Sequence, residues 1–515
     1  MMATLLKPNQ FIDHLRRSVL ASAKITADTR QIALGDVFLA YSVGHGSALR
    51  DNRSFIGAAL DAGATVVAYD PDGMAPDKLI EDPRCYAVGD LAQFAGMICS
   101  EWYGNPSEKC SVIGVTGTNG KTSITQWLMQ ALDQPSERAA VMGTLGVGFP
   151  GQLQLMGYTT PDAPRLQTEL KNLVDAGAKR IAMEVSSHAL EQGRVNGVQF
   201  STAVFSNLSQ DHLDYHGTMA DYAQAKACLF QKAGLRHAVI NLEDAFGREL
   251  AMQLLAKQQI QVWGYALNPS AFVGFEKFAQ RLNRVCASSM QFKDAGYRGL
   301  LEWQGHGTSE LTIPVIGEFN LSNCLAVWAC LLLEGMDLAE ASKRIANVKP
   351  VSGRMEWVAL PRTTKGSGPL VVVDYAHTPD ALEKALQAVR PIATERGGRI
   401  WCVFGCGGDR DISKRPLMGS IASALADHIV ITSDNPRSED PVKIIDAVRS
   451  GIPNSASVQA IVDRAAAIMS AVRHAHSTDV ILIAGKGHEA TQEIKGKKFA
   501  FSDQEHVRLA AGGLV

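Results

Sequence analysis

The sequence predicts an α/β protein of three domains built mainly on parallel sheets. Three observations predict it. The length of 515 residues suggests about three domains at ~150 residues each. Short apolar runs alternate with stretches of helical spacing, the pattern of parallel strands joined by crossover helices. Several of those runs end in glycine-rich or polar segments, as strands do where they open into a ligand site. The boundaries read as 1–107 for a small N-terminal α/β domain, 108–347 for a central domain and 348–515 for a C-terminal one.

Composition narrows the function classes. Hydrophobic content of 46% and charged content of 20% are those of an ordinary globular chain. A net charge of −2 argues against a strongly basic nucleic-acid surface. No stretch approaches the ~18 apolar residues of a membrane span. The longest apolar run, Cys324 to Leu333, reads as a buried helix. The opening MMATLLKPNQFIDHLRR lacks the long apolar region and small-residue cleavage site of a signal peptide, which predicts a cytoplasmic location. Nine cysteines without a C-x-x-C pair read as reduced core thiols rather than disulfides or a zinc site.

In the first domain, Ile32–Ala40 and Ala64–Tyr69 read as strands, with a helix over Asn52–Ala62 between them. Polar loops containing Ala27-Asp28-Thr29-Arg30 and Val43-Gly44-His45-Gly46-Ser47 flank the first strand. Such loops either carry ligand groups or are solvated turns. Trp102–Ser107 reads as a linker.

The central domain opens on the most informative stretch. Cys110–Ile113 is a short apolar strand, and ITQWLMQALDQ follows with helical spacing. Between them lies Gly114-Val115-Thr116-Gly117-Thr118-Asn119-Gly120-Lys121-Thr122-Ser123. The order strand, glycine-rich loop, helix is that of a P-loop, with glycines spaced as a variant of G-x4-G-K-[ST]. Glycines let backbone N–H groups turn toward an anion, and the helix N-terminus adds partial positive charge. Lys121 supplies a full charge for phosphates, and the Thr122 hydroxyl can reach a Mg²⁺ ion.

Ala139–Gly146 then reads as a strand, and Gly157-Tyr158-Thr159-Thr160-Pro161-Asp162 as a loop that opens a helix. Its hydroxyls either bind an anion or cap that helix. The strand Arg180–Val185 carries Glu184 at its C-terminal end, followed by Ser186-Ser187-His188. A carboxylate there is costly without a partner, which favours a Mg²⁺ role for Glu184 over a salt bridge. The strand Thr202–Asn207 leads into Gln210-Asp211-His212-Leu213-Asp214-Tyr215-His216. Lys226 follows on a helix over Met219–Lys232, where a lysine is ordinarily a solvated cation. Asn320 and Asn323 share a face at the start of the apolar helix, to cap it or to read a base edge.

The third domain begins at a polar boundary, Val351-Ser352-Gly353-Arg354-Met355-Glu356. Four apolar runs follow, Leu370–Val373, Ile400–Phe404, Ile429–Thr432 and Val480–Ala484. Each ends in reactive-looking residues: Asp374-Tyr375-Ala376-His377, Gly405 to Arg410, Asp434-Asn435-Pro436-Arg437 and Gly485-Lys486-Gly487-His488-Glu489. Four such ends at one edge of a doubly wound sheet point to a ligand cleft.

The set VTGTNGKTS, MEVSSHAL, NLSQDHLDYHG with Lys226, GEFNLSN, SGRME, DYAHTPD, GCGGDRD, DNPR and GKGHE resembles the Mur ligase family, most closely its diaminopimelate-adding branch. The match runs in order across nearly the whole chain, more loosely in the first hundred residues. The resemblance implies a P-loop ATPase-type central domain and a Rossmann-like C-terminal domain. It implies an ATP- and Mg²⁺-dependent ligase of peptidoglycan synthesis, acting on the small-molecule substrates UDP-N-acetylmuramoyl-L-alanyl-D-glutamate and meso-diaminopimelate through an acyl phosphate. Neither nucleic acid nor membrane insertion is implied, and the expected state is a monomer. Relatives that add L-lysine or D-Ala-D-Ala, folylpolyglutamate ligases, and a non-catalytic nucleotide-binding relative are the alternatives.

By resemblance, ATP is held by Gly117, Thr118, Asn119, Gly120, Lys121, Thr122, Ser123, Asn320, Asn323, Arg354, Asp374 and His377. Thr122, Glu184, His212 and Lys226, the last as a carbamate, are the implied metal ligands, and Lys121, Glu184, His212 and Lys226 the catalytic set. The muramoyl dipeptide is expected at Ala27, Thr29, His45, Gly46, Ser47, Tyr158, Thr159, Thr160, Ser186, Gln192 and Arg194. Ala27 stands where the family commonly has a larger apolar residue, and Tyr158 where asparagine can occur. Diaminopimelate is expected at Arg410, Asp434, Asn435, Pro436, Arg437, Gly485 and Glu489. Its far amino-acid head calls for a guanidinium for the carboxylate and an acid for the amine. Lysine-adding relatives usually lack the arginine of DNPR.

Overall fold

The computed structural model describes residues 5–45, 49–74, 80, 82–293, 296–358, 360, 368–453 and 457–512. The expected ligand residues Gly46 and Ser47 lie outside them. Three large sheets organise the described residues: four strands between residues 25 and 87, eleven between 111 and 313, and six between 356 and 484.

The first sheet is parallel, in the order Ile25–Thr26, Val37–Ala40, Val66–Tyr69, Cys85–Ala87. The expected strand Ile32–Ala40 begins only at Val37. The Asp36 carboxylate accepts from the Ala33 and Lys24 backbone amides, so 32–36 is held as a turn despite its apolar residues. The expected helix Asn52–Ala62 is a 3₁₀ turn, Arg53–Phe55, followed by a short α-helix, Ile56–Asp61. Trp102–Ser107 is a packed corner rather than a free linker. Trp102 ends a helix and donates from its indole to the Ala23 carbonyl, and the buried Ser107 hydroxyl accepts from the Gln199 amide.

In the central sheet the parallel strands run in the order Arg138–Gly143, Ala178–Glu184, Ser111–Thr116, Thr202–Phe205, His237–Asn241, Gln261–Ala266, with Leu282–Lys293 following in parallel. Antiparallel strands extend both edges. The single strand expected over Ala139–Gly146 is a hairpin, Arg138–Gly143 returning as Gly146–Phe149. The helix expected over Met219–Lys232 ends at Ala227 and tightens into a 3₁₀ turn, Cys228–Gln231.

The helix Glu318–Leu333 is buried on every side from Asn320 to Leu332, as its continuous apolar sequence requires. It packs on the helix Lys121–Leu132 and so anchors the glycine-rich loop from behind.

The third sheet runs Glu356–Val358, Leu370–Asp374, Val480–Ala484, Ile400–Phe404, His428–Ile431, Val458–Ala460, with only the first pairing antiparallel. Its neighbouring central strands end at Asp374, Ala484, Phe404 and Ile431, so the four polar segments expected to converge do lie along one edge. Among the described residues, no helix is long and apolar enough to cross a membrane.

Candidate active site

After Ser111–Thr116 the chain builds strands on one side of it, then crosses to Thr202–Phe205 on the other. At such a switch point the strand ends part and leave a crevice. The glycine-rich loop opens into it. Gly117 has φ 146°, and a Cβ there would lie 2.0 Å from Ser206 Oγ. Gly120 has φ 88°, and its Cβ would lie 2.5 Å from Asn323 Oδ1. Asn207 fixes the loop, accepting from the Thr118 amide on its carbonyl (2.8 Å) and from the Asn119 amide on Oδ1 (2.9 Å). Lys121 Nζ donates to the Gly117 and Thr118 carbonyls at 2.7 and 2.9 Å.

Glu184 is 1% exposed at its strand end. It accepts from Thr122 Oγ1 (3.0 Å), the Thr144 amide (2.8 Å) and Thr144 Oγ1 (3.2 Å). Among the described residues no lysine or arginine pairs with it directly. A buried carboxylate beside two hydroxyls, with no ion-pair partner, is a donor set suited to a hard divalent cation. His212 sits opposite in a left-handed backbone conformation, 3.4 Å from Asp211 and edge-on to His188. Desolvation in the cleft lowers its pKa, which favours the neutral imidazole, the form that binds metals.

Lys226 is 1% exposed. Its Nζ donates to the Gly117 carbonyl (2.9 Å) and lies 4.2 Å over the Tyr222 ring. Burial, reinforced by the Lys121 charge, holds its pKa well below that of an ordinary lysine. The amine is therefore shifted toward its neutral, nucleophilic form.

These groups line one cavity of about 270 Å³. The glycine-loop residues Thr118 to Ser123 meet Thr159, Glu184, Ser186, His212, Lys226, Asn320 and Asn323 there, and Arg354, Asp374 and His377 enter from the third sheet. Arg354 stacks on Tyr375, its guanidinium carbon 4.6 Å from the ring centroid, and reaches Thr122 Oγ1 at 3.3 Å. Asp374 accepts from the Met355 and Ala376 amides, which fixes the third-sheet side of the cavity. Burial raises its pKa and lowers that of His377. Asn320 donates to the carbonyl of Ile316, just before the helix, and accepts from Asn323 (3.4 Å), so the pair is braced at the helix start.

The cavity also contains residues that sequence reasoning did not assign. Thr144 sits in the hairpin turn that was read as strand, and Asn207, Tyr222, Tyr375 and Lys384 are further lining groups. The signal for Thr144 would have been the Gly143-Thr144-Leu145-Gly146 turn chemistry.

A second cluster lies beyond Tyr375. Arg437, at φ 50°, donates to the Gly408 carbonyl (2.7 Å), with Glu493 at 3.5 Å. Both Arg437 Nη1 and Arg410 Cγ come within 4 Å of the Cβ position of Gly407. Asn435 donates to Glu489 Oε2 (2.8 Å), and the open side of Gly485 faces Asp434 Oδ2 at 2.5 Å from its Cβ position. Pro436 stands between Asn435 and Arg437, and its carbonyl oxygen would lie 2.0 Å from a Cβ at Gly408.

Of the expected dipeptide residues, His45, Thr159, Thr160, Ser186, Gln192 and Arg194 are linked into a third group directly or through Thr144, Glu184 and Tyr215, and among the described residues no hydrogen bond joins Ala27, Thr29 or Tyr158 to it. Thr160 Oγ1 donates to the Glu184 carbonyl (2.8 Å) and accepts from the Ser186 amide (3.2 Å). Thr159 Oγ1 pairs with Thr144 Oγ1 at 3.0 Å. Arg194 donates to the Thr160 carbonyl and to Gln192, which in turn donates to the Tyr215 hydroxyl. His45 Nε2 lies 2.9 Å from the Tyr215 carbonyl and ties the first unit to this group. Thr29 begins a 3₁₀ turn capped by Asp28, the Ala27 carbonyl accepts from Asn52, and Tyr158 is exposed.

Two family models match the chain: the Mur ligase middle domain over residues 115–331, and the Mur ligase glutamate ligase domain over residues 353–487. A relative from Ralstonia nicotianae, named UDP-N-acetylmuramoyl-L-alanyl-D-glutamate–2,6-diaminopimelate ligase, is 49% identical over 506 residues, covering 97% of this chain and 95% of its own. A solved structure of a ligase of that name is 34% identical with a TM-score of 0.64, covering 95% of each chain. The MurF ligase of Thermotoga maritima, solved with ADP, is 16% identical with a TM-score of 0.62, covering 96% of this chain and 99% of that one, and shares the fold. With family models spanning most of its length and close identity to named members from end to end, the chain belongs to the Mur ligase family.

Proposed function

We propose that the chain joins meso-diaminopimelate to the D-glutamyl side-chain carboxylate of UDP-N-acetylmuramoyl-L-alanyl-D-glutamate, with ATP as the energy source, in peptidoglycan synthesis. The observation that carries the reading is one cavity shared by Lys121, Glu184 and Lys226 with Arg354, Asp374 and His377 from another sheet. The name of the whole-chain relatives supports the choice of substrates.

The D-glutamyl carboxylate oxygen attacks the γ-phosphorus of ATP, and ADP leaves. The acyl phosphate that forms is attacked at carbon by the acceptor amine. The amine loses a proton, the C–O bond breaks, and phosphate departs with the former carboxylate oxygen. Phosphoryl transfer depends on positioning and charge neutralisation. Lys121 and the loop amides hold the phosphates, with Gly117, Thr118, Asn119, Gly120, Thr122 and Ser123 shaping the cradle. Asn320, Asn323, Arg354, Asp374 and His377 hold the nucleotide from two sides and exclude water from the acyl phosphate. Thr122, Glu184, His212 and Lys226 as a carbamate would hold Mg²⁺, which supplies charge neutralisation at the phosphate oxygens. The Glu184 donor set and the shift of the buried Lys226 amine toward its neutral form support that assignment.

We assign the dipeptide to Ala27, Thr29, His45, Gly46, Ser47, Tyr158, Thr159, Thr160, Ser186, Gln192 and Arg194. We assign the acceptor to Arg410, Asp434, Asn435, Pro436, Arg437, Gly485 and Glu489. The division of labour is then residues 1–107 for the UDP-sugar, 108–347 for ATP and 348–515 for the acceptor. Every assigned group comes from one chain, so a cytoplasmic monomer suffices.

Phosphate release by the purified protein with ATP, Mg²⁺ and the UDP-dipeptide tests this reading with diaminopimelate, L-lysine or no amino acid. Release is expected with diaminopimelate alone. Arg437→Ala is expected to raise the KM for diaminopimelate by about 30-fold or more, as loss of a charged recognition pair costs ~2 kcal/mol or more. Equal turnover with lysine would overturn the acceptor assignment.

A further inference from the structure

Lys486 lies in the acceptor cluster but has no N–H left for a ligand. It is 0% exposed. Its Nζ donates to Thr491 O (2.7 Å), Glu489 Oε2 (2.8 Å) and Asn435 Oδ1 (3.1 Å). An ammonium has three donors, and all three are used.

The consequence falls on its neighbours. Asn435 is 7% exposed, and its Oδ1 accepts both from Lys486 and from the Glu493 amide (2.9 Å). Two donors on Oδ1 dictate which way the amide faces, because the flipped form would set its NH₂ against an ammonium and an N–H. Its Nδ2 is thereby aimed at Glu489 Oε2 (2.8 Å). Glu489 Oε2 is thus held twice, while its Oε1 takes no hydrogen bond among the described residues. The Glu489 side chain keeps 29% of its surface exposed, whereas Lys486 keeps none.

We infer that Lys486 is a positioning residue for acceptor recognition: it locks Asn435 and Glu489 Oε2 so that Glu489 Oε1 is presented to the ammonium of the acceptor's far end. The inference rests on the acceptor assignment above. Lys486 acts through Glu489, directly and by way of the Asn435 amide that it orients toward Glu489 Oε2, without touching the acceptor. It also balances charge, since Asp434 and Glu489 both lie at this strand edge and Asp434 Oδ2 is buried with no hydrogen-bond partner among the described residues.

The test is a cycle of Lys486→Met, Glu489→Gln and the double variant, each assayed for the KM of ATP, UDP-dipeptide and diaminopimelate. Lys486→Met is expected to raise the KM for diaminopimelate about 10-fold or more, the scale on which outer partners of a ligating group act. The KM for ATP should stay within about twofold, because the ATP groups are separate residues. In the double variant the KM for diaminopimelate should stay within about threefold of Glu489→Gln alone, because one residue acts through the other. The double variant removes both charges of the pair, so it remains informative if Lys486→Met alone fails to fold. Multiplying losses in the double variant, or equal rises in the KM of ATP and diaminopimelate, would overturn the inference. Wild-type turnover that ignores diaminopimelate would instead overturn the functional reading beneath it.

Discussion

Lys226→Ala is expected to lower kcat for acceptor-dependent phosphate release by about 10²- to 10³-fold, the scale of losing one charge-stabilising group. The native amine is buried, pressed against the Gly117 carbonyl and the Tyr222 ring, and shifted toward its neutral form. A neutral amine adds CO₂ at its nitrogen and releases a proton to give a carbamate, an anion with two oxygens. Alanine can do neither, and leaves a space of carboxylate size beside the glycine-rich loop. Formate or acetate should therefore restore part of kcat in Lys226→Ala and leave the wild-type enzyme unchanged. Lys226→Arg keeps a cation but cannot take up CO₂, so it should remain slow with or without added carboxylate. Steady-state phosphate release in the three proteins checks this. Near-wild-type activity in Lys226→Ala would remove Lys226 from the catalytic set.

Asp503→Asn is expected to produce the largest loss of stability. The Arg464 and Asp503 side chains are both 0% exposed and share two bonds of 2.7 Å. Arg464 also donates to the Ser433 and Ala484 carbonyls, at 3.4 and 3.0 Å, one residue before Asp434 and Gly485. The pair thus fastens the helix Asp503–Gly512 to the strand ends that carry Asp434 and Gly485, which we assign to the acceptor. Removing one partner strands a buried guanidinium, at a cost of about 3–5 kcal/mol. Replacing both, as in Arg464→Met with Asp503→Leu, leaves no orphan charge and should cost less than the single change. Urea unfolding, with hydrogen exchange on the strand Val480–Ala484, measures both. A double variant weaker than either single change would contradict this account of the latch.

Much of the site was legible because phosphate chemistry restricts residue types. A glycine-rich turn before Lys121 and Thr122, and a carboxylate at the end of a buried strand, have few other uses. The four inner strands of the third sheet were equally readable, since they are buried and appear as unbroken apolar runs, whereas its edge strands Glu356–Val358 and Val458–Ala460 are partly exposed and carry no such run. Lys226 carries no such mark. A lysine on a helix becomes unusual only when its end is buried, and no local spacing reports that. The turn at 32–36 was hidden because Asp36 captures two backbone amides and overrides an apolar run. Thr144 was hidden because the strand before it and the hairpin after it form one apolar, glycine-containing stretch. The long antiparallel edge from Leu282 to Ile313 is half-exposed, so its alternation is diluted by polar residues. Contacts between distant segments, such as Arg354 with Thr122, follow only from how the third sheet sits over the loop.

The most direct test of the central claim follows oxygen. The UDP-dipeptide is prepared with ¹⁸O in both oxygens of its D-glutamyl side-chain carboxylate, and the released phosphate is weighed by mass spectrometry. An acyl phosphate requires one labelled oxygen in each phosphate formed with diaminopimelate, together with ADP. Unlabelled phosphate, or release of AMP and pyrophosphate, would contradict it.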